Sequence, residues 1–229
     1  MFFFFLDESY VAVIGDIIKS KQLPDRNQVQ HKLTDILKEI NQKYADELAS
    51  NFMVTLGDEF QGLLKCGKST MSIISEIEMQ MYPVKIRFGL GVGKITTAIN
   101  RDIPLGADGP AYYNARKMID ALKGSEKKLK KSYSNIMISI DGDESGVSIL
   151  FNSILSLCST IKQKWSKRQR EIISAYIEHD NNQVRTASYL NIKQSSVHKG
   201  LSTAGYFSYT DAIDAIAQML SQVGEKKDV

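Results

Sequence analysis

Cysteine is scarce in this chain: Cys66 and Cys158, far apart, are the only two. Two cysteines build no disulfide framework, and the pattern predicts free thiols in a reducing compartment, hence a cytoplasmic protein. The three histidines, His31, His179 and His198, form no metal-ligand spacing with the cysteines. Long apolar runs are also missing. Phe2 to Phe5 is too short to cross a bilayer and lacks the basic flank and cleavage site of an export signal. The longest apolar stretch, Val147 to Ile161, is interrupted by serine and asparagine in a helical pattern. We therefore expect no membrane segment. Proline (4) and glycine (15) are too few for a collagen-like or low-complexity chain. Nor is there a large excess of either charge, since the formal net charge is only +3.

The distribution of that charge is more telling. Residues 1–144 hold 19 basic and 19 acidic side chains, whereas residues 145–210 hold 8 and 3. The polar run Asp141-Gly142-Asp143-Glu144-Ser145-Gly146 resembles a linker. The chain is long enough for two small domains, and we expect a boundary there: 1–144, then 145–229 opening on a connecting helix over about 147–164. In the first part, β-branched and apolar runs predict strands at Tyr10–Ile14, Phe52–Leu56, Phe60–Leu64, Val84–Val92 and Ile136–Ile140. Helical spacing predicts helices after Pro24, over Ser69–Met81 and from Pro110 to Leu122. The order β-α-β-β-α-β, then α-β, predicts an α+β, ferredoxin-like fold with one added unit.

Two Gly-Asp pairs punctuate that domain. Asp16 ends the first strand and Asp58 sits at the tip of the hairpin. In a split βαβ sheet those strands are central neighbours, so the carboxylates would meet at one edge. Facing carboxylates repel unless a cation neutralises them, and Mg²⁺ is commonly held by one or two carboxylates plus substrate phosphates. The simpler alternative is that both are turn formers after glycine. The segments Gly15-Asp16-Ile17-Ile18-Lys19-Ser20, Gly57-Asp58-Glu59-Phe60-Gln61-Gly62, Arg87-Phe88-Gly89-Leu90-Gly91-Val92-Gly93 and Gly106 to Arg116 occur in an order that resembles the SatD family. The first domain of that family is similar to class III nucleotide cyclase and GGDEF catalytic domains. The resemblance implies a metal site for Mg²⁺ or Mn²⁺ at Asp16, the Ile17 carbonyl and Asp58. It also implies nucleotide contacts from Glu59, Asn114, Arg116 and Lys117. The cyclases carry an Asn and, four residues later, an Arg. Here Asn114 is followed by Arg116 and Lys117, with Met at 118. Catalytic residues are therefore left unassigned.

Gly62-Leu63-Leu64-Lys65-Cys66-Gly67-Lys68-Ser69 matches the Walker A pattern. Two large leucines sit where that loop winds tightly, and they fit better as the strand leaving the hairpin. After Lys167 the pattern changes to short helices, with a turn at Asn191-Ile192-Lys193. The spacing of Ala187, Leu190, Ile192, Val197 and Leu201 resembles the helix-turn-helix of sigma-factor region 4. If the third helix reads DNA, its exposed face is Gln194, Ser195, Ser196, His198, Lys199 and Ser202. Lys162, Lys164, Lys167, Arg168, Arg170, Arg185 and Lys193 would then serve phosphates. The bland alternative is an interaction domain with a solvated basic face. The leading expectation is a homodimeric DNA-binding regulator whose first domain senses a nucleotide or metal. The alternatives are a nucleotidyl cyclase or other phosphoryl-transfer enzyme, and a P-loop NTPase.

Overall fold

The computed structural model describes residues 8–129 and 134–224. They form a mixed α+β structure with five strands and eight helices. β1 (Tyr10–Ile17) is followed by α1 (Arg26–Lys43), β2 (Leu48–Leu56), β3 (Glu59–Leu64), α2 (Thr70–Met81) and β4 (Ile86–Gly93). Next come α3 (Pro110–Leu129), β5 (Ile136–Ile140), α4 (Val147–Gln163) and α5 (Lys167–Glu178). The chain ends with α6 (Gln183–Tyr189), α7 (Gln194–Thr203) and α8 (Tyr206–Leu220). The sheet order is β2-β3-β1-β4-β5. The first four strands pair antiparallel, and β5 adds parallel to β4 across α3.

The period of two along a strand sorts side chains to opposite faces. Val11 and Val13 of β1 join Phe60, Phe88, Leu90 and Val92 on the face covered by α1 and α2. Ala12 and Ile14 turn to the other face, where Ala111, Ala115 and Ile119 of α3 pack. There β4 presents Gly89 and Gly91. A Cβ at Gly91 would lie 2.0 Å from the carbonyl oxygen of Ala111, and one at Gly89 would lie 2.3 Å from that of Ala115. The Arg-Phe-Gly-Leu-Gly-Val-Gly alternation is thus a seat for the backbone of α3.

The run 141–146 behaves as a helix cap. The Asp143 carboxylate accepts from the backbone N–H of Val147 (3.1 Å) and Ser148 (2.7 Å) and from Ser145 Oγ (2.9 Å). Partial burial alone would raise the Asp143 pKa, but those bonds outweigh it and bring it down to about 2. The following α4 packs on the sheet: Val147, Phe151 and Leu155 belong to the same core as α1 and α2. At the far end α8 adds Ile216 and Leu220 to that core. Its first residue, Tyr206, instead joins Ile172, Ile173, Ala187, Val197 and Leu201 in a separate small core of α5, α6 and α7. Among the described residues no helix is long and apolar enough to cross a membrane. Both cysteines are free, and burial pushes both thiol pKa values up.

Candidate functional site

Strand register places three charged residues in one row across the sheet. Asp16 pairs with Glu59 of β3 on one side and with Arg87 of β4 on the other. All three are buried residues. Helix α3 runs over this face and supplies counterions at helical spacing. Arg116 grips Glu59 with two bonds of 2.5 and 2.6 Å. Lys123 Nζ lies 2.7 Å from Asp16 Oδ1. Arg87 Nη1 donates to Asp16 Oδ2 at 2.5 Å, and its Nη2 donates to Glu126. The carboxylates Glu59, Asp16 and Glu126 thus alternate with the cations Arg116, Lys123 and Arg87. Burial opposes the charge on Arg87, but its bonds to Glu126 and Asp16 outweigh that and hold its pKa above the ordinary value. The bond to Glu59 does the same for Arg116. Buried pairs hold their charge only when geometry and further hydrogen bonds compensate desolvation, and these contacts meet that condition except at Arg87 Nε, which is buried with no partner among the described residues.

Asp58 sits beside this row at the hairpin tip. Its carbonyl accepts from Ile17 N at 3.0 Å, and its carboxylate accepts from Ser20 Oγ. The fold therefore brings Asp16, Ile17, Asp58 and Glu59 to one end of β1 and β3. The metal implied by the cyclase resemblance does not fit them as they stand. Both oxygens of Asp16 are engaged, by Arg87 and Lys123, and Glu59 is closed by Arg116. Among the described residues no group of three or more His, Cys, Asp or Glu side chains could hold a metal ion. The positive charge that a cation would bring comes here from side chains.

Of the predicted nucleotide contacts, only Glu59 and Arg116 meet. Asn114 bonds the Val92 carbonyl (3.3 Å) and Ser139 Oγ (3.2 Å), toward the opposite end of β4, and Lys117 is exposed. Sequence reasoning missed the roles of Arg87, Lys123 and Glu126. For Lys123 a signal existed: Arg116, Asp120 and Lys123 form a charged stripe at i, i+4 and i+7, beside the buried stripe Ala115, Ile119 and Leu122.

The Walker-like segment is not wound around an anion. Gly62-Leu63-Leu64 lies in β3, paired with β1. Ser69 bonds Glu47, and Gly67 packs against the end of α8, where a Cβ would meet the Leu220 carbonyl oxygen at 2.1 Å.

In the C-terminal part, α6 and α7 are joined by Leu190 to Lys193, with Asn191 at φ +51°. Asn182 caps α6 by accepting from Val184 N and Arg185 N. Gln194 Nε2 donates to Gln183 Oε1 (2.6 Å), tying together the starts of α6 and α7. Val197 and Leu201 are fully buried, while Gln194, Ser195, Ser196, His198, Lys199 and Ser202 are all exposed. Lys193 and Lys164 are exposed as well. Arg185 pairs with Asp180 at the surface. Two residues predicted to serve phosphates point elsewhere. Lys162 pairs with Glu78 at 2.5 Å, and Arg170 stacks on Tyr82 and Trp165.

The SatD family model matches residues 10–220, and the chain belongs to the SatD family. A bacterial light-regulated adenylyl cyclase of known structure is similar at 14% identity, covering 57% of this chain and 75% of that one, with a TM-score of 0.41. No curated protein matches.

Proposed function

We propose that this protein binds duplex DNA through a helix-turn-helix formed by α6 and α7, carried on a ferredoxin-like α+β domain. The observation that carries the reading is the two-sidedness of α7. One face is anchored by Val197 and Leu201, and the other bares six polar side chains of the types that read bases and phosphates. The joining segment of four residues and the α5–α6–α7 core agree with a helix-turn-helix. The order β2-β3-β1-β4, extended by β5, agrees with the ferredoxin-like arrangement. The excess of basic over acidic residues across 145–210 favours a polyanionic partner.

Few cations lie on α7 itself, so one copy would bind weakly, and a dimer suits the short half-sites of such motifs. Leu150 and Leu157, seven residues apart on α4, are exposed together with Ile149, which gives a dimer an apolar contact. The test is fluorescence anisotropy with labelled random-sequence duplexes. Lys193→Ala/Lys199→Ala is expected to weaken binding about tenfold or more at low salt, while Lys38→Ala, on α1, leaves it unchanged. Equal binding by both variants would remove α7 from the interface.

A further inference from the structure

We infer that the cavity between the sheet-bearing part and α5 is a binding site for a small organic anion with a flat aromatic body. Its volume is about 560 Å³, within the range of small-molecule sites. One wall is the C-terminal half of α2 with the adjoining ends of β1 and β4, and the other is the α4–α5 junction. An occupant therefore touches both parts of the chain.

The walls are mainly apolar and aromatic, with Met79, Tyr82, Trp165, Ile173 and Ile177 among them. Tyr82 and Ile177 are exposed large side chains on this lining. Flat apolar surface of this kind favours a ring system.

Its charges specify the sign of the ligand. The carboxylates of the lining are already matched: Glu78 by Lys162 and Asn135, Glu126 by Arg87, and Glu171 by Arg168. Of the lining's cations, Lys162 is matched by Glu78, but Lys85 and Arg170 are not matched. Among the described residues neither Lys85 nor Arg170 pairs with a carboxylate. Arg170 is held in place by the Lys162 carbonyl (2.6 Å) and by the rings of Tyr82 (4.9 Å) and Trp165 (5.5 Å). A cation fixed between rings, with matched acids around it, selects an anion.

Trp165 is the single tryptophan of the chain and lines the cavity, so it reports occupancy directly. The probe is 1-anilinonaphthalene-8-sulfonate, with excitation of tryptophan and detection of transfer to the dye. Saturable transfer at one dye per chain is expected, with the near-ultraviolet dichroism of the fold retained. The uncharged analogue N-phenyl-1-naphthylamine should bind at least fivefold more weakly. Ser75→Phe, which fills the cavity from α2, should weaken the dye at least tenfold, and the surface change Lys85→Glu several-fold. Absence of saturable transfer, equal affinity for the uncharged analogue, or indifference to both substitutions would overturn the assignment. The readout involves no DNA, so its failure is separable from failure of the DNA-binding proposal.

Discussion

Arg87 shows how a single residue can decide the chemistry of a site. Its guanidinium bonds Asp16 and Glu126 from a position only 8% exposed. Arg87→Ala would leave two carboxylates without their shared cation. Breaking a buried pair from one side costs about 3–5 kcal/mol, and chemical denaturation should show a loss of that size. Arg87→Lys should recover only part of it, because an ammonium cannot reproduce the planar two-sided fork. At Asp143 the sign is set by pH. Its pKa is about 2 when folded and close to 4 when unfolded. Its contribution is therefore complete above about pH 4 and is lost as the pH falls toward 2. Asp143→Ala should cost about 1 kcal/mol at neutral pH, and the variant and the parent should converge in acid unfolding near pH 2. Asp16 and Asp58 were visible in the sequence as Gly-Asp pairs. Arg87, a partner of Asp16, was not, because it becomes a neighbour of Asp16 only through the register of β1 and β4. Local spacing carries no information about that pairing.

Among the elements, those with strong local periodicity were the most legible. α1 starts where Asp25 caps it, and α2, β3 and β5 fall within a residue or so of their predicted bounds. Two features escaped. The 141–146 run has a linker's composition, yet its aspartate caps α4. α4 has the apolar stripe of a connecting helix, yet it spends that stripe on β5 and the common core. Composition cannot distinguish a helix that bridges from one that docks, since both need one apolar face. The glycines of β4 are a clearer signal, because alternate glycines in a strand mark close backbone approach. Gly91→Ala should lift α3 from the sheet and destabilise by about 1–3 kcal/mol, with the loss measured by thermal or denaturant unfolding. Leu201→Ala, in the small core of α5 to α7, should cost about 2–5 kcal/mol.

For the molecule as a whole, the small net charge conceals a division between a balanced sheet-bearing part and a basic helical part. The balanced part resolves its buried charge internally through the alternating row under α3. The basic part leaves Lys164, Lys193 and Lys199 exposed without carboxylate partners among the described residues. α8 joins the two, with Tyr206 in one core and Leu220 in the other. If the apolar contact on α4 closes a dimer, Leu150→Glu/Leu157→Glu should sediment as a monomer where the parent sediments as a dimer.

The salt dependence of DNA affinity tests the central proposal most directly. Each phosphate neutralised on B-form DNA contributes about −0.9 to the slope of log K against log salt. Engagement of the exposed lysines on and beside α7 gives a slope of about −2 to −3 per bound chain. Lys199→Ala should reduce it by about 1 per bound chain. A slope near zero, or no binding at 50 mM salt, would contradict the DNA-binding account.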